Sequence, residues 1–268
     1  MNLEKLTHQV CDLAIETGEF LRHEITQLHS KDIEIKGVHN FVTYVDKESE
    51  RRLVEKLSRM LPGSGFIAEE SPDLPTGELT WVIDPLDGTT NFIHGVPLYC
   101  ISIGLMEGNK TIMGVIHEIN LKECFYTWES APAFLNKEII SVSNTGSVYD
   151  SLFATGFPYW DYSRLDDYLE IFKLLLKNSR GLRRLGSAAA DLAYVACGRF
   201  DGFYEYGLSP WDVTAGALLV RNAGGRVSDF SGKENYIFGK EIIATNNILF
   251  PEFLKLFEKW EIDTLSLK

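Results

Sequence analysis

Residues 81–90, which read WVIDPLDGTT, constrain this chain more than any other stretch. The run 81–83 is apolar and β-favouring, which predicts a buried strand that ends where Pro85 removes a backbone donor. Asp84 and Asp87 would then lie at the carboxyl end of that strand. Carboxylates in such a place attract hard cations such as Mg²⁺, and a bound cation can in turn bind phosphate. The alternative is an ordinary turn in which both aspartates cap backbone N–H groups.

The residues that follow predict a tight turn and then a short helix. Gly88 permits the turn, and Thr89 or Thr90 is a suitable N-cap, so free N–H groups would point toward the carboxylates. A second acidic stretch has the same character, because Asp212 follows Pro210 at the start of an apolar, small-residue helix. Two such stretches favour a metal site over a simple turn.

Four segments resemble the motifs of the inositol monophosphatase family. They occur in family order at residues 67–71 (IAEES), 83–92 (IDPLDGTTNF), 186–189 (GSAA) and 210–216 (PWDVTAG). The resemblance covers most of the chain and is greatest for bacterial inositol-1-monophosphatases. It implies a Mg²⁺-dependent phosphomonoesterase that hydrolyses inositol monophosphate, or a similar polyol or sugar phosphate, by metal-activated water.

Mg²⁺ takes oxygen ligands and keeps several waters, which suits separate carboxylates and a backbone carbonyl. With the resemblance as a guide, we expect one Mg²⁺ to be held by Glu69, Asp84 and the carbonyl of Leu86. A second would be shared by Asp84, Asp87 and Asp212, and the number of ions is left open. Without metal, four clustered carboxylates would repel one another.

The resemblance also implies catalytic and substrate-binding roles. Thr89 would help to deprotonate water and would be oriented by Asp46 or Glu69. The residues expected to contact substrate are Asp87, Gly88, Thr89, Ser187, Ala188, Glu205 and Asp212. Relatives act on fructose 1,6-bisphosphate, 3'-phosphoadenosine 5'-phosphate, histidinol phosphate or NADP, and these substrates stay open. An alternative of another class is a protein-binding regulatory factor on a phosphatase fold.

Composition narrows the classes of partner. The 268 residues are 45% apolar and carry a formal net charge of −12, which argues against nucleic acid or an anionic membrane as the main partner. The four cysteines are scattered, so we expect reduced, mostly buried thiols in a cytoplasmic protein. No signal peptide or membrane span is recognisable in the sequence. The resemblance implies a homodimer and inhibition by lithium.

The order of elements favours an α+β fold. An amphipathic helix ending near residue 29 and another over residues 44–61 precede strands with short turns, which predict an antiparallel sheet. In the second half, a helix over residues 165–177 is expected to bury Leu169, Phe172 and Leu176. We expect a layered α/β/α/β/α sandwich with largely antiparallel sheets and the site between two lobes, residues 1–150 and 151–268. The resemblance implies the same sugar-phosphatase-like fold.

Four basic residues can be given more than one role from the sequence. Lys36 is either a phosphate contact, as the resemblance suggests, or a solvated loop lysine. His94 is expected to be structural, with its imidazole satisfied inside the protein. Arg183 and Arg184 could meet an anionic substrate or a partner protein, and we expect them to face solvent.

Overall fold

A computed structural model describes residues 1–27, 33–37, 40–158, 161–258 and 260 of the chain. Its helices are α1 (Leu3–Glu24), α2 (Tyr44–Met60), α3 (Thr89–His94), α4 (Leu165–Asn178), α5 (Ala188–Ala196), α6 (Pro210–Asn222) and α7 (Phe250–Leu254), the last followed by the 3₁₀ helix Lys255–Phe257. Its strands are β1 (Ile33–Gly37), β2 (Asn40–Thr43), β3 (Gly65–Ala68), β4 (Leu79–Asp87), β5 (Cys100–Glu107), β6 (Lys110–Glu118), β7 (Glu123–Trp128), β8 (Phe134–Leu135), β9 (Glu138–Ile139), β10 (Leu152–Thr155), β11 (Gly181–Arg183), β12 (Gly202–Tyr206), β13 (Gly225–Ser228) and β14 (Glu241–Asn246).

The two N-terminal helices follow their apolar periodicity. In α1 a stripe of residues three and four apart is buried, and the side chain of Asn2 caps the helix by accepting from the backbone N of Lys5. The helix ends at Glu24, earlier than expected, and residues 25–27 form a turn. Residues 28 and 29, to which the prediction extended, lie outside the described ranges. A capping box between Thr43 and Asp46 starts α2.

The first sheet has the strand order β3-β4-β5-β6-β7-β8-β9. Only β3 and β4 pair in parallel, and the other neighbours are antiparallel, as their short connections predict. The second sheet has the order β11-β10-β12-β14-β13. Here β10 pairs in parallel with β11 and β12, and the remaining pairs are antiparallel.

The helices separate and cover the two sheets. On one side of the first sheet lie α1 and α2, and α5 and α6 lie between the sheets, since α6 contacts β5, β6, β13 and β14. The far side of the second sheet is covered by α4 and α7. This arrangement confirms the predicted α/β/α/β/α sandwich. The strands of the first sheet precede residue 150 in the chain, and those of the second sheet follow it. A division into two lobes at this position remains our proposal.

One helix presents a different face from the one predicted. In α4 the buried residues are Tyr168, Ile171 and Leu175, whereas Leu169 and Leu176 are 46% and 57% exposed. Phe172, the third predicted residue, is half-buried against the core, so the fully buried stripe is shifted by one position from the predicted one.

Two further findings concern the helices and the cysteines. None of the helices in the described ranges combines the length and the apolar character that crossing a bilayer requires. All four cysteines are free thiols, of which only Cys197 is partly accessible, in line with the prediction.

Candidate active site

A cavity of about 390 Å³ lies where the ends of β3 and β4 meet the starts of α3, α5 and α6. Ten of the predicted site residues line it: Glu69, Asp84, Leu86, Asp87, Gly88, Thr89, Ser187, Ala188, Glu205 and Asp212. The remaining one, Asp46, lies behind the wall and contacts Thr89. Residues from distant parts of the chain thus converge on one cavity, which is the arrangement that the motifs predict.

The end of β4 differs from the prediction. The strand does not stop at Pro85 but continues to Asp87. Asp84 pairs with Ser102 and Asp87 with Cys100, so that two residues of β4 lie opposite one residue of β5. Such a bulge tolerates a proline, because the extra residue makes no ladder hydrogen bond. Residues three apart in a regular strand point to opposite faces, and the bulge is what allows both aspartates to reach the same cavity.

Gly88 makes the turn from β4 into α3. Its φ of 103° is in the left-handed region, and a Cβ there would lie 3.2 Å from the carbonyl oxygen of Leu98. Only glycine fits both constraints without strain. Gly88 itself occupies the N-cap position and Thr89 is the first helical residue, so the expected capping role of Thr89 or Thr90 was wrong.

Thr89 is joined to a buried carboxylate of α2. Its hydroxyl lies 3.0 Å from Oδ1 of Asp46 and 3.1 Å from the carbonyl oxygen of Leu86. The other oxygen of Asp46 accepts hydrogen bonds from the backbone N and the hydroxyl of Thr43. Burial raises the pKa of Asp46 above its ordinary value, against the effect of these hydrogen bonds. The carboxyl group is therefore fixed in orientation and is more basic than an exposed aspartate.

The start of α5 holds Asp87. The hydroxyl of Ser187 donates to Oδ2 of Asp87 at 2.8 Å, and the backbone N of Ala189 donates to the same oxygen at 2.7 Å. The sequence suggested that Ser187 and the neighbouring Ala188 would bind substrate. Both line the cavity, and the hydroxyl of Ser187 is engaged with Asp87.

Asp212 is placed by the start of α6. Its Oδ2 accepts from the backbone N of Ser209 at 2.7 Å, which completes a capping box. The preceding residue, Trp211, accepts a hydrogen bond through its carbonyl oxygen from the hydroxyl of Ser102 at 3.0 Å. Since Ser102 is the β5 partner of Asp84, this contact fixes the distance between the first sheet and the helix that carries Asp212.

Burial and mutual repulsion disfavour the ionised forms of the carboxylates in the cavity. Burial, followed by the charges of Glu69, Asp87 and Asp212, raises the pKa of Asp84 well above its ordinary value. Loss of hydration in the cavity raises the pKa of Asp87 to about 6, against the hydrogen bonds from Ala189 and Ser187. The same cause, with the charge of Asp87, raises the pKa of Asp212. A divalent cation would relieve this repulsion.

The cavity offers oxygen donors of the kind that a hard cation prefers, because several carboxylate residues line it together with Leu86, whose carbonyl accepts from Thr89. Within the described residues, however, no group of three or more histidine, cysteine, aspartate or glutamate side chains stands as a ready-made metal site. Mg²⁺ does not need such a cage, because it usually binds through one or two carboxylates plus waters and substrate phosphate. The donor types of the cavity are therefore compatible with a divalent cation that takes oxygen ligands.

Two further acidic residues line the cavity, the predicted Glu205 and also Asp191, which sequence reasoning missed. Glu205 is buried against Gly156, where a Cβ would lie 1.9 Å from its Oε1, and burial raises its pKa to about 8. Asp191 is also buried on this wall, and burial raises its pKa well above the ordinary value. The signal for Asp191 was present, because it is the only charged residue in the apolar helix α5.

Basic residues near the site depart from some expectations. Arg184 does not face solvent but lines the cavity, with its guanidinium 5.2 Å from the ring centre of Phe157. Arg183 is exposed, as predicted. His94 is exposed in the last turn of α3, so its expected burial was wrong. The side chain of Lys36 lies outside the described residues.

Comparison with known proteins agrees with this geometry. Residues 2–261 match the model of the inositol monophosphatase family. An inositol-1-monophosphatase of Mesorhizobium japonicum is 35% identical over 256 residues, which cover 95% of this chain and 96% of the relative. A protein of Pseudomonas aeruginosa named Nus factor SuhB is 40% identical over 247 residues, 90% of this chain and 91% of the relative.

A solved structure gives the same result for the fold. The extragenic suppressor protein suhB of Bartonella henselae superposes with a TM-score of 0.89 at 34% identity and covers 95% of this chain and 99% of that chain. The match extends over both sheets and over the segments that form the cavity. By its full-length family match and by its identity to these relatives, the chain belongs to the inositol monophosphatase family.

Proposed function

We propose that this protein is a Mg²⁺-dependent phosphomonoesterase that hydrolyses inositol monophosphate, or a similar polyol or sugar phosphate, to the alcohol and phosphate. The observation that carries the proposal is the convergence of Glu69, Asp84, Asp87 and Asp212 on one cavity, beside Thr89 and its partner Asp46. Family membership supports a phosphatase activity. The metal and the substrate are inferred from the chemistry of the cavity.

The carboxylates would hold the cations and, through them, the phosphate. Glu69, Asp84 and the carbonyl of Leu86 would form one binding position, and Asp84, Asp87 and Asp212 the other. When bound, Mg²⁺ would neutralise phosphate oxygens, polarise the attacking water and stabilise the leaving oxygen. The chain supplies the geometry for an in-line attack, since its strand ends and helix starts fix these groups before substrate arrives.

The proton of the attacking water would leave through Thr89. A hydroxyl has one hydrogen, and the carboxylate of Asp46 is a stronger acceptor for it than the carbonyl of Leu86. The lone pairs of the Thr89 oxygen then face the cavity and can accept a hydrogen bond from water. As water attacks phosphorus, its proton would pass to Thr89 while the hydroxyl hydrogen passes to Asp46, whose raised pKa favours this transfer. Glu69 is the alternative partner for Thr89.

The substrate's hydroxyl groups would contact the part of the cavity that Glu205 and Asp191 line. Glu205 is the predicted contact there, and the N–H groups of Gly88 and Thr89 are predicted to bind phosphate oxygens. Asp87, Ser187, Ala188 and Asp212 complete the predicted substrate contacts. We also propose, from the family resemblance alone, a cytoplasmic homodimer that lithium inhibits.

A substrate panel tests the proposed activity. We expect phosphate release with Mg²⁺ to be fastest for inositol 1-phosphate or another polyol monophosphate. Fructose 1,6-bisphosphate, 3'-phosphoadenosine 5'-phosphate, histidinol phosphate and NADP are the competing substrates. Thr89→Ala should lower kcat by about 10²-fold or more, because it removes the proton path. Full activity of Thr89→Ala would contradict the role assigned to Thr89. If the wild-type protein hydrolysed none of the substrates in the panel, the proposed phosphatase activity itself would be contradicted.

A second function is supported by a name among the relatives. The Pseudomonas protein is named a Nus factor, so we also propose a protein-binding regulatory role on the same fold. The net charge of −12 does not favour direct nucleic-acid binding. If this role is independent of catalysis, a partner that co-purifies with the wild-type protein should bind Asp84→Asn equally well. The absence of any partner would contradict it.

A further inference from the structure

The buried face of α2 changes character along its length. Its first part buries Val45 together with three polar side chains, Asp46, Ser49 and Glu50, and its second part contains Leu53 and Leu57. Glu50 is only 1% exposed. A carboxylate in such a position costs several kcal/mol unless hydrogen bonds compensate it, whereas leucine would pack without this cost. The polar part of the face therefore points to a constraint other than packing.

Glu50 contacts the segment that carries a predicted metal ligand. Its Oε2 accepts a hydrogen bond of 2.7 Å from the backbone N of Glu70, the residue after Glu69. On the other side, the backbone N of Glu69 donates to the carbonyl oxygen of Ile83 in β4 at 3.3 Å. The peptide at the end of β3 is thus held between α2 and β4. Residues 69 and 70 form a bend directly after β3, and Glu69, not Glu70, lines the cavity, so the orientation of this peptide decides how Glu69 is presented to it.

The same helix face serves the catalytic threonine. Asp46 and Glu50 are four residues apart and so lie on one side of α2. The first accepts a hydrogen bond from Thr89 and the second from the backbone next to Glu69. Two buried carboxylates of one helix therefore contact two separate elements of the cavity wall, α3 and the end of β3.

We propose that Glu50 is a positioning residue that directs Glu69 into the cavity by binding the N–H group of Glu70. The proposal rests on the proposed function, in which Glu69 is a ligand of Mg²⁺. Glu50 is not among the residues that line the cavity, so we expect it to act through Glu69 rather than on substrate or metal directly. Its effect would therefore be seen in the affinity for Mg²⁺.

Two variants of similar length separate the hydrogen bond from packing. Glu50→Met fills the same volume without an acceptor oxygen, whereas Glu50→Gln keeps an oxygen that can accept from the Glu70 N–H group. Calorimetric titration with Mg²⁺ should show that Glu50→Met binds about 10- to 100-fold more weakly than wild type, as for other groups that orient metal ligands. Glu50→Gln should stay within about threefold of wild type, because its acceptor is retained. The activity of both should follow the same Mg²⁺ dependence.

Leu53→Ala is the matched control. It lies on the same buried face, one turn further along, and its side chain belongs to the apolar core. It should lower the melting temperature and leave the affinity for Mg²⁺ unchanged. Equal Mg²⁺ affinities in Glu50→Met and wild type, or equal losses in Glu50→Met and Glu50→Gln, would overturn the proposal.

Hydrogen exchange in the wild-type protein gives a measurement that does not depend on the folding of Glu50→Met. The amide of Glu70 should be protected, because it donates to a buried carboxylate, and free exchange would overturn the proposal. Mg²⁺ binding by wild type with no effect of Glu50→Met contradicts the positioning role alone. Absence of Mg²⁺ binding in wild type contradicts the proposed function as well.

Discussion

The proposed metal-binding acids of the cavity lie on two different kinds of structural element. Glu69, Asp84 and Asp87 lie at the ends of the neighbouring strands β3 and β4, and sheet pairing fixes their spacing. Asp212 lies in the first turn of α6, and its distance from the other acids depends on how that helix packs between the sheets. The strand-borne acids thus depend on local backbone structure. The helix-borne acid depends on contacts between the two halves of the chain.

Asp84→Asn should have the largest effect, because Asp84 is the proposed ligand common to both cation positions. We expect kcat/KM for inositol 1-phosphate to fall by about 10³-fold or more, the loss of several kcal/mol of charge stabilisation. Asp73→Asn makes the same chemical change at an exposed position and should keep full activity. Substantial activity in Asp84→Asn at saturating Mg²⁺ would remove the basis for a shared ligand.

Asp212→Asn should have a smaller effect, because the second cation would keep Asp84 and Asp87. We expect a loss of about 10²-fold in kcat/KM, partly recovered at high Mg²⁺ concentration. Measuring both variants over a range of Mg²⁺ concentrations compares the two kinds of acid directly. If Asp212→Asn were as inactive as Asp84→Asn and did not respond to Mg²⁺, the proposed difference between them would be wrong.

Glu205 should make the stability of the metal-free protein depend on pH. Its pKa is raised from 4.5 to about 8, so the folded state holds a proton that the unfolded state loses between these values. Its contribution to stability is complete below the lower value and is lost as the pH rises through about 8, by up to about 1.4 kcal/mol per pH unit. Glu205→Gln should flatten this decline, as followed by chemical denaturation with a chelator present. Glu138 is exposed, so the control variant Glu138→Gln should leave the pH dependence of stability unchanged.

Ser102→Ala should have the smallest effect and tests the contact between the first sheet and α6. Loss of its hydrogen bond to Trp211 should lower the free energy of unfolding by about 1 kcal/mol and kcat/KM by less than about tenfold. Ser151→Ala is the control, because Ser151 is equally buried and also donates to a backbone carbonyl, far from the cavity lining. Equal activities in the two variants would show that the contact does not position Asp212.

Sequence reasoning succeeded where a feature is local. The strand before Asp84, the turn at Gly88 and the helix that starts near Asp212 each depend on a few neighbouring residues. The layered fold also followed from the order of elements and the lengths of their connections. These are the parts for which propensity, periodicity and motif agree.

The errors arose where pairing or tertiary packing decides. Pro85 was expected to end β4, but a bulge against β5 absorbs it. The buried stripe of α4 could not be fixed from its own sequence, because apolar residues occupy both candidate faces, and Tyr168 rather than Leu169 is buried. Arg184 was expected to face solvent but lines the cavity. Its position depends on the packing of β11 beside β10, which the sequence around Arg184 does not reveal. These three errors concern contacts made with other elements of the fold.

The central claim is that acids from both halves of the chain bind divalent cations against a phosphate group. The most direct test is phosphate release from inositol 1-phosphate by chelator-treated protein, followed while Mg²⁺ is added back. The account predicts that the chelator abolishes activity and that Mg²⁺ restores it in wild type but not in Asp84→Asn. Undiminished hydrolysis after removal of divalent cations would contradict it.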